Sequence, residues 1–228
     1  MERSKKTLRS VPMSESLVLI TFLALSGGLQ DAYTYIERGS VFANAQTGNI
    51  VLLSVNILEG NSGKILNYLI PLLFFSFGVM AAEIIRNHFA GMWRLCWQQW
   101  VVLCEILLLF AVGLFPSRIT VLANSLVSFS CAMQVQAFRK LEGYSFSSTM
   151  CIGDLRSGVE ALYAWRRSGD RAVFGKAMLY FIVILLFAIG AGLGGLLVPY
   201  LGEKTIWLSC GLLFVCFVLM FSVDNQDT

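Results

Sequence analysis

The residues able to do chemistry in this chain are few, and most gather in two stretches. The first runs from Gln30 and Asp31 to Asn44, Gln46, Thr47, Gly48 and Asn49. The second holds Gln134 and then Gly153 and Asp154. Carboxamides present donors and acceptors together, so such clusters suit a small polar solute; Gln30 and Gln134 fit hydrogen bonds between helices equally well. Asp31 sits near the end of an apolar run, and Glu105 sits seven residues into another. A carboxyl group inside an apolar helix is costly unless it is solvated or paired, and it is a natural carrier of a proton. Asp31 and Glu105 are therefore the proton-coupling candidates, while Asp31 alone could instead be a boundary acid capped by backbone or by Arg38.

The elements that must position these groups are membrane helices. The chain has 228 residues, 57% of them hydrophobic and 14% charged, and its mean hydropathy is +0.71. A soluble domain is about a quarter charged. A bilayer span needs about 20 mainly apolar residues. Six segments meet that need: 16–36, 65–85, 98–115, 119–138, 175–198 and 205–223. Two runs, 47–58 and roughly 149–164, are too short to cross. Each opens with a glycine beside Asn or Asp, so each predicts a half helix entered through extended backbone. For 149–164 the stripe Ile152, Leu155, Val159 and Leu162 also fits a helix lying flat at the interface. Arg156 and Glu160 are i,i+4 neighbours that can pair on a wet face, and Glu83, near the cytoplasmic end of its span, is expected to snorkel or to pair with Arg86. Thr47 is placed to cap the first short helix, whose exposed N–H groups would favour an anion or a carbonyl-rich ligand.

Charge sets the expected orientation. With six spans both termini share a side. Arg3, Lys5, Lys6, Arg9, Arg86, Arg94, Arg139, Lys140, Arg156, Arg166, Arg167, Arg171 and Lys176 fall there, thirteen of the seventeen Lys and Arg. Both termini are expected in the cytoplasm. The N-terminal basic stretch followed by an apolar run resembles a signal peptide, but the run continues to Ile36 and reads as a retained first helix.

The chain also matches itself. A shift of 104 residues lays Ser26-Gly-Gly-Leu-Gln30 on Ser130-Cys-Ala-Met-Gln134, Gly39 on Gly143 and Phe42 on Phe146. One inserted residue then lays Gly48-Asn49-Ile50 on Gly153-Asp154-Leu155, and Phe75-Ser-Phe-Gly78 follows on Phe187-Ala-Ile-Gly190. Val135 stands opposite Asp31. Three spans per half is an odd number, so the halves would insert in opposite directions, as in many secondary transporters. The expected fold is all-α and integral to the membrane: six transmembrane helices plus two short helices, as two inverted three-span repeats. The expected division is a tail at 1–15, repeats at 16–115 and 116–223, and a tail at 224–228.

The run Gly28-x-x-Asp-Ala-Tyr-Thr-Tyr35, the run Phe42-Ala-Asn-Ala-Gln-Thr-Gly-Asn49 and the run Gly153-Asp-Leu-Arg-Ser-Gly158 resemble the YoaK family. These are small bacterial six-span membrane proteins of unknown function. The resemblance covers nearly the whole chain and implies a bacterial inner-membrane location without supplying a substrate. The approach to a short helix in each half is also similar in plan to the longer nucleobase and sulfate permeases.

Enzyme chemistry has little support. His88 is the single histidine and lies among Arg86, Asn87 and Arg94. The six cysteines lie in or beside apolar runs without metal-ligand spacing. No cofactor, metal or nucleic acid is expected. The glycines at 190, 192, 194 and 195 predict close helix packing, within the chain or across a homodimer. The leading expectation is a secondary transporter of a small solute, with Gln30, Asp31, Asn44, Gln46, Thr47, Gly48, Asn49, Gln134, Gly153 and Asp154 at its site. The alternative is a non-transporting membrane assembly or sensor protein.

Overall fold

The computed structural model describes residues 15–89 and 96–224. Arg3, Lys5, Lys6, Arg9 and Arg94, and with them most of the two expected tails, lie outside the described residues. The described chain is helical. It contains α1 (Leu17–Glu37), α2 (Gln46–Leu58), α3 (Ser62–Phe89) and α4 (Trp97–Val112). Then come α5 (Thr120–Ala137), the two-residue strands β1 (Lys140–Leu141) and β2 (Tyr144–Ser145), α6 (Cys151–Ser168), α7 (Arg171–Leu201) and α8 (Ile206–Asp224). The six long apolar segments fall in α1, α3, α4, α5, α7 and α8, and the other two runs fall in α2 and α6; α6 continues past the expected end at 164 to Ser168 and, at 18 residues, is longer than α4 at 16.

Helix ends follow local chemistry. Ser16 opens α1 by accepting the Leu19 N–H, and Asp170 opens α7 by accepting the Ala172 N–H at 2.9 Å. Between α6 and α7, Gly169 adopts φ +68°, a left-handed stop that glycine takes without steric cost. The expected Thr47 cap is not formed: α2 starts one residue earlier, at Gln46, and no side chain caps it at its N-cap residue, Ala45. Asn49, one turn in, ties the preceding loop instead.

α1, α3 and the helical run Arg171–Phe221, which contains α7 and α8, are long and apolar enough to cross a membrane. Their packing differs. The apolar stretch of α1 is 67% buried within the protein, while that of α3 is 22% buried. α3 turns Leu66, Leu73, Phe77, Met80 and Ile84 outward, and α7 turns Leu185, Ile189, Leu193 and Leu196 outward. Such surfaces suit lipid. α5 is central like α1: Asn124, Ser125, Ser128, Ser130 and Gln134 are all buried on it. Its polar residues face protein, which is why its hydropathy is lower than that of the outer helices.

The main packing pairs are α1 on α7 and α5 on α3, α1 on α8 and α5 on α4, α2 on α3 and α6 on α7, with α4 against α8; α3 also touches α4, and α1 touches α5. Glycine permits the closest of these. A Cβ on Gly190 would run into the Leu25 carbonyl of α1, and one on Gly28 into the Phe187 carbonyl of α7. On the other side, a Cβ on Gly78 of α3 would run into the Phe129 carbonyl of α5. Of the expected glycine face, Gly190 and Gly194 meet α1, while Gly192 faces open space.

Candidate functional site

A cavity of about 430 Å³ lies where the starts of α2 and α6 face each other. Its wall comprises Asp31 of α1, residues 44–47, Phe75 of α3, residues 149–153 and Phe187 of α7. The first-turn amides of a helix have no acceptor within it. Two such turns therefore border one space.

Asp31 organises the first side. Its Oδ1 accepts the Asn44 backbone N–H at 2.8 Å, which brings the loop back beside α1. The Asn44 side chain donates through Nδ2 to the Gly27 carbonyl at 3.2 Å. Its Oδ1 is buried without a partner among the described residues, as is the Thr149 hydroxyl across the cavity. Gln46 donates to the Ala43 carbonyl at 2.7 Å. Arg38 is not the partner of Asp31. It is fully buried and donates to the Val112, Phe115 and Pro116 carbonyls and to the Tyr33 hydroxyl. A cation is favourable at that helix end, where α4 presents its last carbonyls.

Of the residues expected at the site, Asp31, Asn44, Gln46, Thr47 and Gly153 line the cavity. The others stand behind the wall. Asn49 donates to the Phe42 carbonyl at 2.6 Å and to Gln46 Oε1 at 3.0 Å, and it accepts the Phe42 N–H at 3.1 Å. Asp154 accepts the Ser147 N–H at 3.3 Å. Each of these two side chains thus holds the backbone seven residues before it. Gly48 packs its backbone close to the Phe42 ring. Gln30 donates to Ser26 Oγ at 2.9 Å and accepts from Cys131 of α5. Gln134 donates to Ser148 Oγ at 2.9 Å and to the Leu23 carbonyl at 3.3 Å. These amides lock α1, α5 and the loops together. Glu105 is fully buried, its carboxyl oxygens have no partner among the described residues, and it does not border the cavity.

The sequence reading missed Phe75, Thr149, Met150, Cys151, Ile152 and Phe187 as lining residues. Phe75 and Phe187 could have been found, since they stand opposite each other in the internal match. The expected surface pairs do form, Arg86 with Glu83 at 3.3 Å and Arg156 with Glu160 at 2.9 Å. Among the described residues no cluster of His, Cys, Asp and Glu could hold a metal ion.

A family model described as a protein of unknown function, DUF1275, matches residues 19–219. The chain belongs to the DUF1275 family. It is 27% identical over 205 residues to the UPF0700 transmembrane protein YoaK of Bacillus subtilis (strain 168), covering 86% of this chain and 90% of that one. No solved structure matches. The family and the long apolar helices together make this DUF1275 chain a transmembrane protein, in the family its motifs resemble.

Proposed function

We propose that this protein is a small secondary transporter of a small solute, without cofactor or covalent chemistry. In this reading α1, α3, α4, α5, α7 and α8 span a bacterial inner membrane, with both termini in the cytoplasm. Residues 16–115 and 116–223 are two inverted halves, and the cavity between the short helices is a midplane site.

Several relations support the two-half reading. Exchanging α1 with α5, α2 with α6, α3 with α7 and α4 with α8 turns the main packing pairs into one another, though the smaller α3–α4 contact has no α7–α8 counterpart of its size. The close approach of Gly78 to Phe129 has its counterpart in that of Gly190 to Leu25, and Phe129 lies 104 residues after Leu25. Asn49 and Asp154 each accept the backbone N–H seven residues earlier, from Phe42 and Ser147, one residue out of step with the match of Phe42 to Phe146. The observation that carries the transport reading is the cavity itself, at which the starts of α2 and α6 and the Asp31 carboxyl group of α1 converge. Such sites recur where repeats of a transporter meet. Rocking of one half against the other would open the cavity to each side in turn, with Asp31 carrying the coupling proton and Glu105 as the second candidate.

Cys151 lines the cavity and tests this directly. The other five cysteines are replaced by serine, and the protein is placed in sealed proteoliposomes. An impermeant maleimide should label Cys151 from either side, in proportions that change with an imposed pH gradient. Protection from both sides in every condition would replace the carrier with the non-transporting assembly or sensor protein.

A further inference from the structure

The geometry points to an uncharged solute that carries N–H or O–H donors, in effect an amide-like edge on an apolar body, as the occupant of the cavity between α2 and α6; this rests on the transporter reading above.

While Asp31 is ionised, the charge balance gives anions no advantage. Among the described residues, no Lys, Arg or His lines the cavity. The two helix starts contribute about half a positive charge each. An ionised Asp31 at the same cavity offsets both. An acceptor-only anion would meet a carboxylate with no side-chain cation to compensate. Of the two expected ligands, an anion or a carbonyl-rich one, an ionised Asp31 therefore favours the second.

The unpartnered atoms specify more. The Asn44 amide is oriented by its Nδ2 bond to the Gly27 carbonyl. Turning it over would set two carbonyl oxygens against each other. Its Oδ1 is buried, acceptor-only and without a partner among the described residues. A solute must bring a donor to satisfy it. The Thr149 hydroxyl, also buried and unpartnered, can donate or accept. Of the first-turn amides at the cavity, those of Gln46 and Gly153 already reach the Asn44 and Met150 carbonyls, and those of Thr47, Cys151 and Ile152 ask for an acceptor. Phe75, Phe187 and Ile152 supply apolar sides. An N–H beside a C=O, carried on an apolar ring, meets all of these demands at once.

Benzamide and benzoate are a matched pair of probes. They share a shape and differ in charge and in donors. The assay is protection of Cys151 from N-ethylmaleimide in the purified full-length chain, with the other cysteines replaced. Benzamide should protect at a concentration at least about tenfold lower than benzoate, the effect of one buried acceptor left unpaired. Asn44→Ala should abolish the difference, and Thr149→Val should weaken benzamide protection; thermal unfolding verifies that each variant is folded. Equal or better protection by benzoate overturns the inference, and so does free labelling of Cys151 that neither probe slows. Both of those results leave the transporter reading standing. A Cys151 that never labels removes the cavity, and both readings fall with it.

Discussion

The Asp31 carboxylate accepts the backbone N–H of Asn44 at 2.8 Å, so one bond joins the interior of α1 to the chain just before α2. Asparagine at position 31 keeps an acceptor for that N–H, whereas alanine leaves it buried and unpaired. Asp31→Asn should unfold within about 1 kcal/mol of the parent, and Asp31→Ala should lose about 1–3 kcal/mol, measured by denaturant unfolding in detergent. In proteoliposomes Asp31→Asn should also remove the pH-gradient dependence of Cys151 labelling. Unchanged dependence assigns the proton elsewhere, with Glu105→Gln the next variant.

Asn49 and Asp154 hold equivalent turns with different side chains. Asp154 leaves Oδ2 buried and unpartnered among the described residues, while Asn49 uses Nδ2 on the Phe42 carbonyl. Asp154→Asn should therefore be neutral or stabilise by up to about 1 kcal/mol. The reverse change, Asn49→Asp, sets a carboxylate oxygen against the Phe42 carbonyl and Gln46 Oε1, and should cost about 1–3 kcal/mol. Unfolding midpoints of the two variants decide this.

Helix contact at Gly190 has no room for a methyl group, because the neighbouring atoms are the backbone of Leu25. Gly190→Ala should lower stability by about 3 kcal/mol or more. Gly192 has nothing near its Cβ position, and Gly192→Ala should be neutral or gain up to about 1 kcal/mol from helix propensity. Thermal unfolding of the pair separates a packing role from a general effect of added bulk.

Arg38 holds the end of α4 through three carbonyls, Phe115 at 2.8 Å, Pro116 at 3.0 Å and Val112 at 3.3 Å. Arg38→Met should cost about 3 kcal/mol or more, since buried acceptors lose a charged donor. Lysine lacks the planar fork, so Arg38→Lys should recover only part of the loss. Full rescue by lysine would show that charge alone matters there.

Glu203, in the turn between α7 and α8, accepts the hydroxyl and the N–H of Ser117 before α5. The Ser117 hydroxyl holds its carboxyl group below the usual range. A depressed folded-state pKa contributes stability above the unfolded value of about 4.3. That contribution fades as pH falls through the folded value. The group is exposed, so its worth is at most about 1 kcal/mol. Glu203→Gln should flatten the acid side of the stability profile below about pH 5 and change little above it, as measured by unfolding across pH.

Much of the helical layout can be read in the sequence. The lengths of the apolar runs place the eight helices, because a helix that meets lipid must satisfy its backbone within itself. Local spacing also predicts the Arg156–Glu160 and Glu83–Arg86 pairs. The site is legible only in part. Gln30 and Gln134 fit either a ligand or an interhelical bond by sequence, and they make the latter; Asn49 looks like a ligand-facing amide, yet it closes backbone bonds. Nothing near Arg38 in the chain announces that its partners lie more than seventy residues away.

The sequence by itself determined that this is a helical membrane protein with two short, polar-headed helices, since apolar length and local polarity depend only on neighbours along the chain. Only the tertiary structure decided that Asp31, Asn44 and Thr149 border one cavity while Asp154 and Glu105 do not. Which way a buried polar group faces is set by the helix packed against it, and that helix comes from a distant part of the chain.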